Sequence, residues 1–287
     1  MAGTGAEPPA VTGAVGLPGM VPARPVRRIG WFPPTVTFVL VVAAWYVVST
    51  VVLDEQRRFL LPPPDAVVRV AFLDPVNRAV LLDALLLSTT VALLGLAIAA
   101  ALGMAIGVAM SQARWIERSL YPYAVVLQCV PTLALVPVIG FWFDFGFTSR
   151  LIVTVAIALF PVISSTLFGL QSAEPGQHDL LSLHRASRLT RLVKLQLPAA
   201  MPAILTGLQV AATLAVVGAV VGDLFFKQGS PGIGVLIDLY RARLQSEQLF
   251  GAAILACLLG VAVFTGFGLL ARLVTGWHGA TAYDRRG

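Results

Sequence analysis

Charge is what this sequence has least of. Asp, Glu, Lys and Arg make up 12% of its 287 residues against 57% hydrophobic residues, and the mean hydropathy is +0.86. A soluble domain carries about 25% charged residues. Half that share, confined to the connections between long uncharged runs, excludes an ordinary soluble domain. The formal net charge of +6 then reflects lipid and topology, and no nucleic-acid partner is expected. Lysine is scarcer still: Lys194 follows Val193 and Lys227 follows Phe226, so the Gly-Lys-Ser/Thr of a phosphate-binding loop cannot occur. Neither GxSxG nor HExxH is present, and His178, His184 and His278 fall in loops or at a helix end. Acids at mid-membrane depth that would mark a proton relay are also lacking, since Asp83 and Asp223 fall near the ends of apolar runs. Cys129 and Cys257 lie in apolar runs and read as small core residues, not a disulfide or metal pair. Together these absences predict no catalytic residues, no metal and no cofactor of the chain's own.

What is present is apolar length. Six segments, about 35–53, 84–110, 119–143, 151–171, 199–226 and 249–275, are each long enough to cross a bilayer, which takes roughly 20 residues. The fold class expected is therefore all-α integral membrane, with about six transmembrane helices. Residues 1–30 are rich in Gly, Pro and Ala and end in the basic "RPVRR"; they read as a disordered cytoplasmic tail ahead of an uncleaved first span. A transmembrane domain over 31–280 and a short cytoplasmic tail over 281–287 complete the organisation. Twelve of the 20 cations but only five of the 14 acids fall on the side that holds both termini, which the positive-inside rule assigns to the cytoplasm.

The connections have their own signals. "LPPPDAVVRVAFLD" carries a proline stop and a short amphipathic helix from Asp65, and "KQGSPGIGVLIDLYRARLQSEQ" a tight turn before a short helix. Gly95, Ala99, Gly103 and Gly107 recur at four-residue steps, forming a groove for close approach of another helix, with packing inside one chain preferred over a subunit contact. Pro122, Pro131 and Pro137 predict a broken third span. Polar residues within the spans are Gln128, Thr132, Ser164, Ser165, Thr166, Thr206, Gln209 and Thr213, the last three on one helix face. They serve either interhelical hydrogen bonding or a weakly polar path for solute; all but Thr166 are candidate path residues.

The segment His178–Leu205, "HDLLSLHRASRLTRLVKLQLPAAMPAIL", interrupts this apolar chain with cations at Arg185, Arg188, Arg191 and Lys194. Its exposed leucines, Leu180, Leu181 and Leu183, require something to cover them, and "LPAAMP" is read as the start of the fifth span. The segment resembles the "EAA" loop of permease subunits of binding-protein-dependent ABC importers: "ASR" at Ala186–Arg188 and "LPAAMPAILTGLQVA" from Leu197 are similar to "GASR…LPAALPxILxGLRxA". "LPPPDAV", "VPTLALVPVIGFWFDFGFTSR" and "GAVVGDLFFKQGSPGIGVLI" resemble "LPSPxxV", "xPxxALxPLxxxWFGxGxxSK" and "xVVAExxxxxxGLGxLI" of the nitrate, sulfonate, taurine and vitamin-precursor branch. The likeness covers about 50–280. It departs from the pattern where Asp179 replaces Glu, Leu180 and Leu181 replace two alanines, and Arg185 replaces glycine.

The resemblance implies a type I ABC importer permease in a bacterial plasma membrane, multi-pass, working by alternating access. It implies an ATPase coupling loop over about 172–197, carried by Asp179, Leu180, Leu181, Leu183, His184, Arg185, Ala186, Ser187, Arg188, Leu197 and Pro198. The partners implied are an ABC ATPase dimer that binds the ATP, an extracytoplasmic solute-binding protein, a second copy of the chain and membrane lipid. Solutes of the branch include sulfonates, nitrate and pyrimidine or flavin vitamin precursors, and the lack of buried charge favours a neutral or delocalised one. A stand-alone channel, a secondary carrier and a non-transporting permease-like scaffold are the competing readings.

Overall fold

The computed structural model describes residues 32–283. The expected tail over 1–30 and the last four residues lie outside them. The chain divides after Ala44 into two compact units. The described part of the first is the opening of helix α1 (Phe32–Val47), an exposed apolar stretch; the second contains everything that follows.

Every described element is helical. After α1 and its wide turn Val48–Val52 come a 3-10 segment (Glu55–Leu60) and α2 (Pro64–Val67), the latter continuing as a wide turn through Leu73. Pro64 stands at the first helical position, where its missing N–H costs nothing. α3 (Pro75–Gln112) is a 38-residue helix whose N-cap, Asp74, accepts hydrogen bonds from the amides of Val76 and Asn77. Then follow α4 (Arg114–Cys129), α5 (Thr132–Phe143), α6 (Phe147–Gln171), α7 (Pro175–Leu183), α8 (Arg188–Arg191), α9 (Leu197–Phe225), α10 (Ile233–Ala242) and α11 (Ser246–Tyr283). Among the described residues five helical stretches, Pro34–Val52, Pro75–Gln112, Phe147–Gln171, Arg188–Phe225 and Ser246–Val274, are long and apolar enough to cross a membrane. A sixth span exists if the bent pair α4–α5 is counted, its halves meeting at 103°. That break is the one expected from proline: Val130 is extended ahead of Pro131, which caps α5.

The core of the second unit is the trio α3, α6 and α9, joined by α11. Leu96, Ala99, Ala158, Val162, Ala211, Ala212 and Ala215 form one of its buried clusters. The small residues explain the closeness. A Cβ added to Gly103 would lie 2.8 Å from Val162 Cβ, and one added to Gly107 would lie 2.7 Å from Thr166 Cβ. Lipid tails are as apolar as the side chains they surround, so van der Waals contact across such flat faces holds membrane helices together. The four-residue stripe thus receives α6 of the same chain, as the spacing predicts. From the other side, Gly207, Gly218 and Gly222 of α9 press on Ser165, Thr154 and Arg150 of α6.

Two expectations need correction. The prolines of "LPAAMP" do not open the fifth span. The helix begins at Arg188 and runs without interruption to Phe225, because the turn Leu192–Gln196 is widened. A π-type turn makes room where Pro198 supplies no N–H and its ring crowds the carbonyl four residues back. The cysteines are not core residues either: Cys129 and Cys257 are both exposed on the single chain, since each falls on the outward face of its helix.

Candidate functional site

Ser164, Ser165 and Thr206 come together in a groove of about 520 Å³ between α6 and α9, with Pro161, Pro202, Ala203, Gly207 and Val210 as its other walls. Its hydroxyls back-bond to carbonyls one turn earlier. Ser165 Oγ donates to the Pro161 carbonyl at 2.6 Å, Ser164 Oγ to the same carbonyl at 3.2 Å, and Thr206 Oγ1 to the Pro202 carbonyl at 2.8 Å. Each hydroxyl proton is spent inside its own helix, so the groove presents oxygen lone pairs set in an apolar wall. No ionisable side chain lines it. Such a surface can offer weak acceptor contacts and apolar contact, and nothing that would hold a charged group tightly.

The other candidate path residues lie elsewhere. Gln209 donates from Nε2 to the Phe264 carbonyl at 3.2 Å, tying α9 to α11, and Thr213 donates to the Gln209 carbonyl at 3.2 Å. Gln128 and Thr132 flank the α4–α5 break. Thr166 turns away from the groove, against Gly107 of α3.

The basic segment folds as helix, sharp turn and helix. α7 ends in a two-bond cap: the Arg185 amide donates to the Ser182 carbonyl and the Ala186 amide to the Leu181 carbonyl, both at 3.0 Å. This arrangement needs a left-handed residue after the helix end, usually glycine. Arg185 fills that position with φ 51°, where glycine is expected from the resemblance. Ser187 then caps α8, its Oγ accepting from the Thr190 amide at 3.2 Å, and His184 Nδ1 lies 3.0 Å from the Leu180 carbonyl. Leu180, Leu183 and Leu189 are 57%, 82% and 70% exposed, whereas Leu181, Leu197 and Pro198 are half-buried. Asp179 and Arg188 are exposed. The segment therefore offers a partner an apolar, basic face.

A third constellation was not foreseen. Arg150, at the start of α6, is 1% exposed. Its Nε donates to the Phe226 carbonyl at 2.7 Å, and its terminal nitrogens to those of Ser230 and Gln228, each at 3.1 Å. It also pairs with Asp223 of α9 at 3.2 Å. Asp223, fully buried, accepts from Ser88 of α3 at 2.5 Å, and Ser88 in turn accepts from the Ile233 amide of α10 at 2.8 Å. The expected lack of buried charge is thus overturned: both ions are withdrawn from the surface because each compensates the other and backbone carbonyls satisfy the remaining guanidinium donors. The signal lay in the quoted stretches, where Arg150 ends "FTSR" and Asp223 ends "VVGD" at the motif positions of a Lys and a Glu. Beside the cluster opens a cavity of about 490 Å³ lined in part by Asp144, Thr148, Gln228 and Ser230. Asp144 is itself a departure from a motif glycine and holds φ 66° and ψ 167°. Farther along the same connection, Asp238 bonds to Lys227 and, at 2.6 Å, to Arg241; the Lys227 hydrogen bond, then the Arg241 one, hold its carboxyl below the ordinary value of 3.8.

Residues 94–277 match the family described as binding-protein-dependent transport system inner membrane component. A probable ABC transporter permease protein of Haemophilus influenzae is 33% identical over 162 residues, 56% of this chain and 65% of that protein. The riboflavin transport system permease protein RibX of Chloroflexus aurantiacus is 30% identical over 165 residues, 58% of this chain and 61% of that protein. A putative aliphatic sulfonates transport permease protein, SsuC of Escherichia coli, is 33% identical over 196 residues, 68% of this chain and 74% of that protein. The chain thus spans somewhat under two thirds of the length of the first two.

Proposed function

The chain belongs to the family of binding-protein-dependent transport system inner membrane components, and from that premise we propose that it is the permease subunit of an ATP-driven importer of a small solute. Two copies line one path, and the α6–α9 groove with Ser164, Ser165 and Thr206 contributes to it. Both termini and the 172–197 segment face the cytoplasm of a bacterial inner membrane, and α10 and the 226–245 connection face outward. The solute comes from an extracytoplasmic binding protein that docks on the outer connections. A sulfonate, nitrate, or a pyrimidine or flavin vitamin precursor is the solute class, in keeping with relatives named for aliphatic sulfonates, nitrate, riboflavin and formylaminopyrimidine.

The observation that carries this reading is the basic helix–turn–helix at 175–191. Its Leu180, Leu183 and Leu189 stay exposed among the described residues, and α8 continues without a break into the helix that walls the groove. A partner ATPase dimer that clasps this segment moves α9 directly. ATP favours one state of the path only to the extent that the clasped segment fits the ATP-bound dimer better in that state. Deleting 179–195 therefore abolishes association with the ATPase while the chain still inserts in the membrane. Undiminished co-purification of the ATPase with the deleted chain refutes the proposal.

A further inference from the structure

The buried cluster of Ser88, Arg150 and Asp223 lies outside the groove and outside the basic segment, and neither role uses it. Its connectivity is unusual for so few residues. Arg150 belongs to α6, Asp223 to α9, Ser88 to α3, and their remaining bonds all go to the connection between α9 and α11. The guanidinium grips three successive parts of that connection, the carbonyls of Phe226, Gln228 and Ser230. Ser88 holds the first amide of α10. The Gln228 amide adds a bond to the Phe145 carbonyl at 2.8 Å. Gly232 and Gly234 lie so close that an added Cβ at either would run into Asp223; the backbone of the connection is pressed on the carboxylate. α10 then buries Ile233, Leu236 and Tyr240 against Ala71, Leu81, Ala84 and Ala252.

We propose that Ser88, Arg150 and Asp223 are positioning residues that fasten the 226–234 connection and α10 to the ends of α3, α6 and α9, so that this cap and the two groove helices move as one body. A load placed on the cap is passed to α6 and α9 instead of being absorbed by a flexible loop. In this chain the planar fork of Arg150 reaches three carbonyls and a carboxylate at once, a set of contacts that the single point charge of an ammonium cannot reproduce in full. A hydroxyl is required at 88 because one group both donates to Asp223 and accepts from the Ile233 amide. That the load comes from a docking binding protein rests on the proposed importer function; the fastening itself does not.

The test is amide hydrogen exchange on the full chain in phosphatidylglycerol–phosphatidylethanolamine nanodiscs, comparing wild type, Arg150→Lys and Ser88→Ala. Arg150→Lys is expected to speed exchange at Gln228 at least tenfold, Ser88→Ala to do so at Ile233, and both to leave the 211–219 amides of α9 unchanged. In the importer reassembled with its ATPase and binding protein, Arg150→Lys is expected to abolish stimulation of ATP turnover by the binding protein while unstimulated turnover persists. Unchanged exchange at Gln228 and Ile233 overturns the proposal, as does equal loosening along α9, which marks a general structural role. Faster exchange with intact stimulation overturns the passing of load. If wild type itself shows no stimulation, the importer reading fails, and the exchange data still decide whether the cluster positions the cap.

Discussion

Replacing Arg185 by glycine is expected to tighten the turn between α7 and α8. An L-residue in the left-handed region costs about 1–2 kcal/mol because its Cβ crowds the following carbonyl, and Arg185 sits there at φ 51°. Glycine removes that cost. Two effects oppose the gain: glycine adds about 0.4–1 kcal/mol of unfolded-chain entropy, and a cation at the end of α7 forfeits roughly 0.3 kcal/mol of interaction with the helix dipole. The net is a stabilisation of about 0.5 kcal/mol, close to a twofold change in the local opening equilibrium. Exchange of the Ala186 amide, which bonds to the Leu181 carbonyl, reads it directly: Arg185→Gly should slow that amide about twofold, and Arg185→Ala should not. An internal control exists at the end of α10. There the Leu244 amide donates to the Arg241 carbonyl and the Gln245 amide to the Tyr240 carbonyl, with Leu244 at φ 56°. Leu244→Gly repeats the experiment without a charge, so its gain at Gln245 should be slightly larger. Equal slowing by Arg185→Ala and Arg185→Gly would refute the reasoning, since the side chain and not the backbone would then be responsible.

Asp144 occupies a region of backbone space that is almost reserved for glycine, at φ 66° and ψ 167°, where strain is of order 1–3 kcal/mol. Asp144→Gly should raise the thermal midpoint of the detergent-solubilised chain, and a lowered midpoint counts against the strain. Acid should loosen the α10 connection. Asp238 has a folded-state pKa below its ordinary 3.8 because Lys227 and Arg241 bond to the ionised form, so the support is fully present above about pH 4 and disappears as the pH falls through the lowered folded value. Exchange at 238–245 that fails to accelerate between pH 5 and pH 3, after correction for intrinsic rates measured with Asp238→Asn, contradicts this.

The parts of the fold that were legible in the sequence are those governed by local composition. Apolar runs of membrane length, the glycine stripe of α3 and the break at Pro131 depend on residues within a few turns of one another, and periodicity exposes them. The start of the Arg188–Phe225 helix was not legible. A proline is ordinarily a reason to begin a helix, and the widened turn that lets one continue has no signature in a 3.6-residue period. That Ser164, Ser165 and Thr206 are polar residues within apolar spans is legible, but neither their meeting in one groove nor the draw of Gln209 toward α11 by the Phe264 carbonyl has a local signal.

The buried ion pair shows why charge near the end of a span is ambiguous. At such a position an Arg or Asp reads equally as an interfacial residue facing water or as half of a buried pair, and the partner that decides between them lies 73 residues away (223 minus 150). Glycine offers the missing criterion. Gly222 is spaced from Arg150 by only 3.1 Å between its would-be Cβ and the Arg150 Cα, so α6 and α9 approach too closely there for water to separate their side chains. Gly232 and Gly234 close the other side over the carboxylate. Asp223, closed in by these glycines, is fully buried, and a charge so placed persists in low dielectric only beside a counter-charge. The glycines flanking Asp223 in "VVGD" and following it in "GIG" therefore carry the information that the acid is buried, and burial in turn requires a cation from a neighbouring helix, which Arg150 supplies.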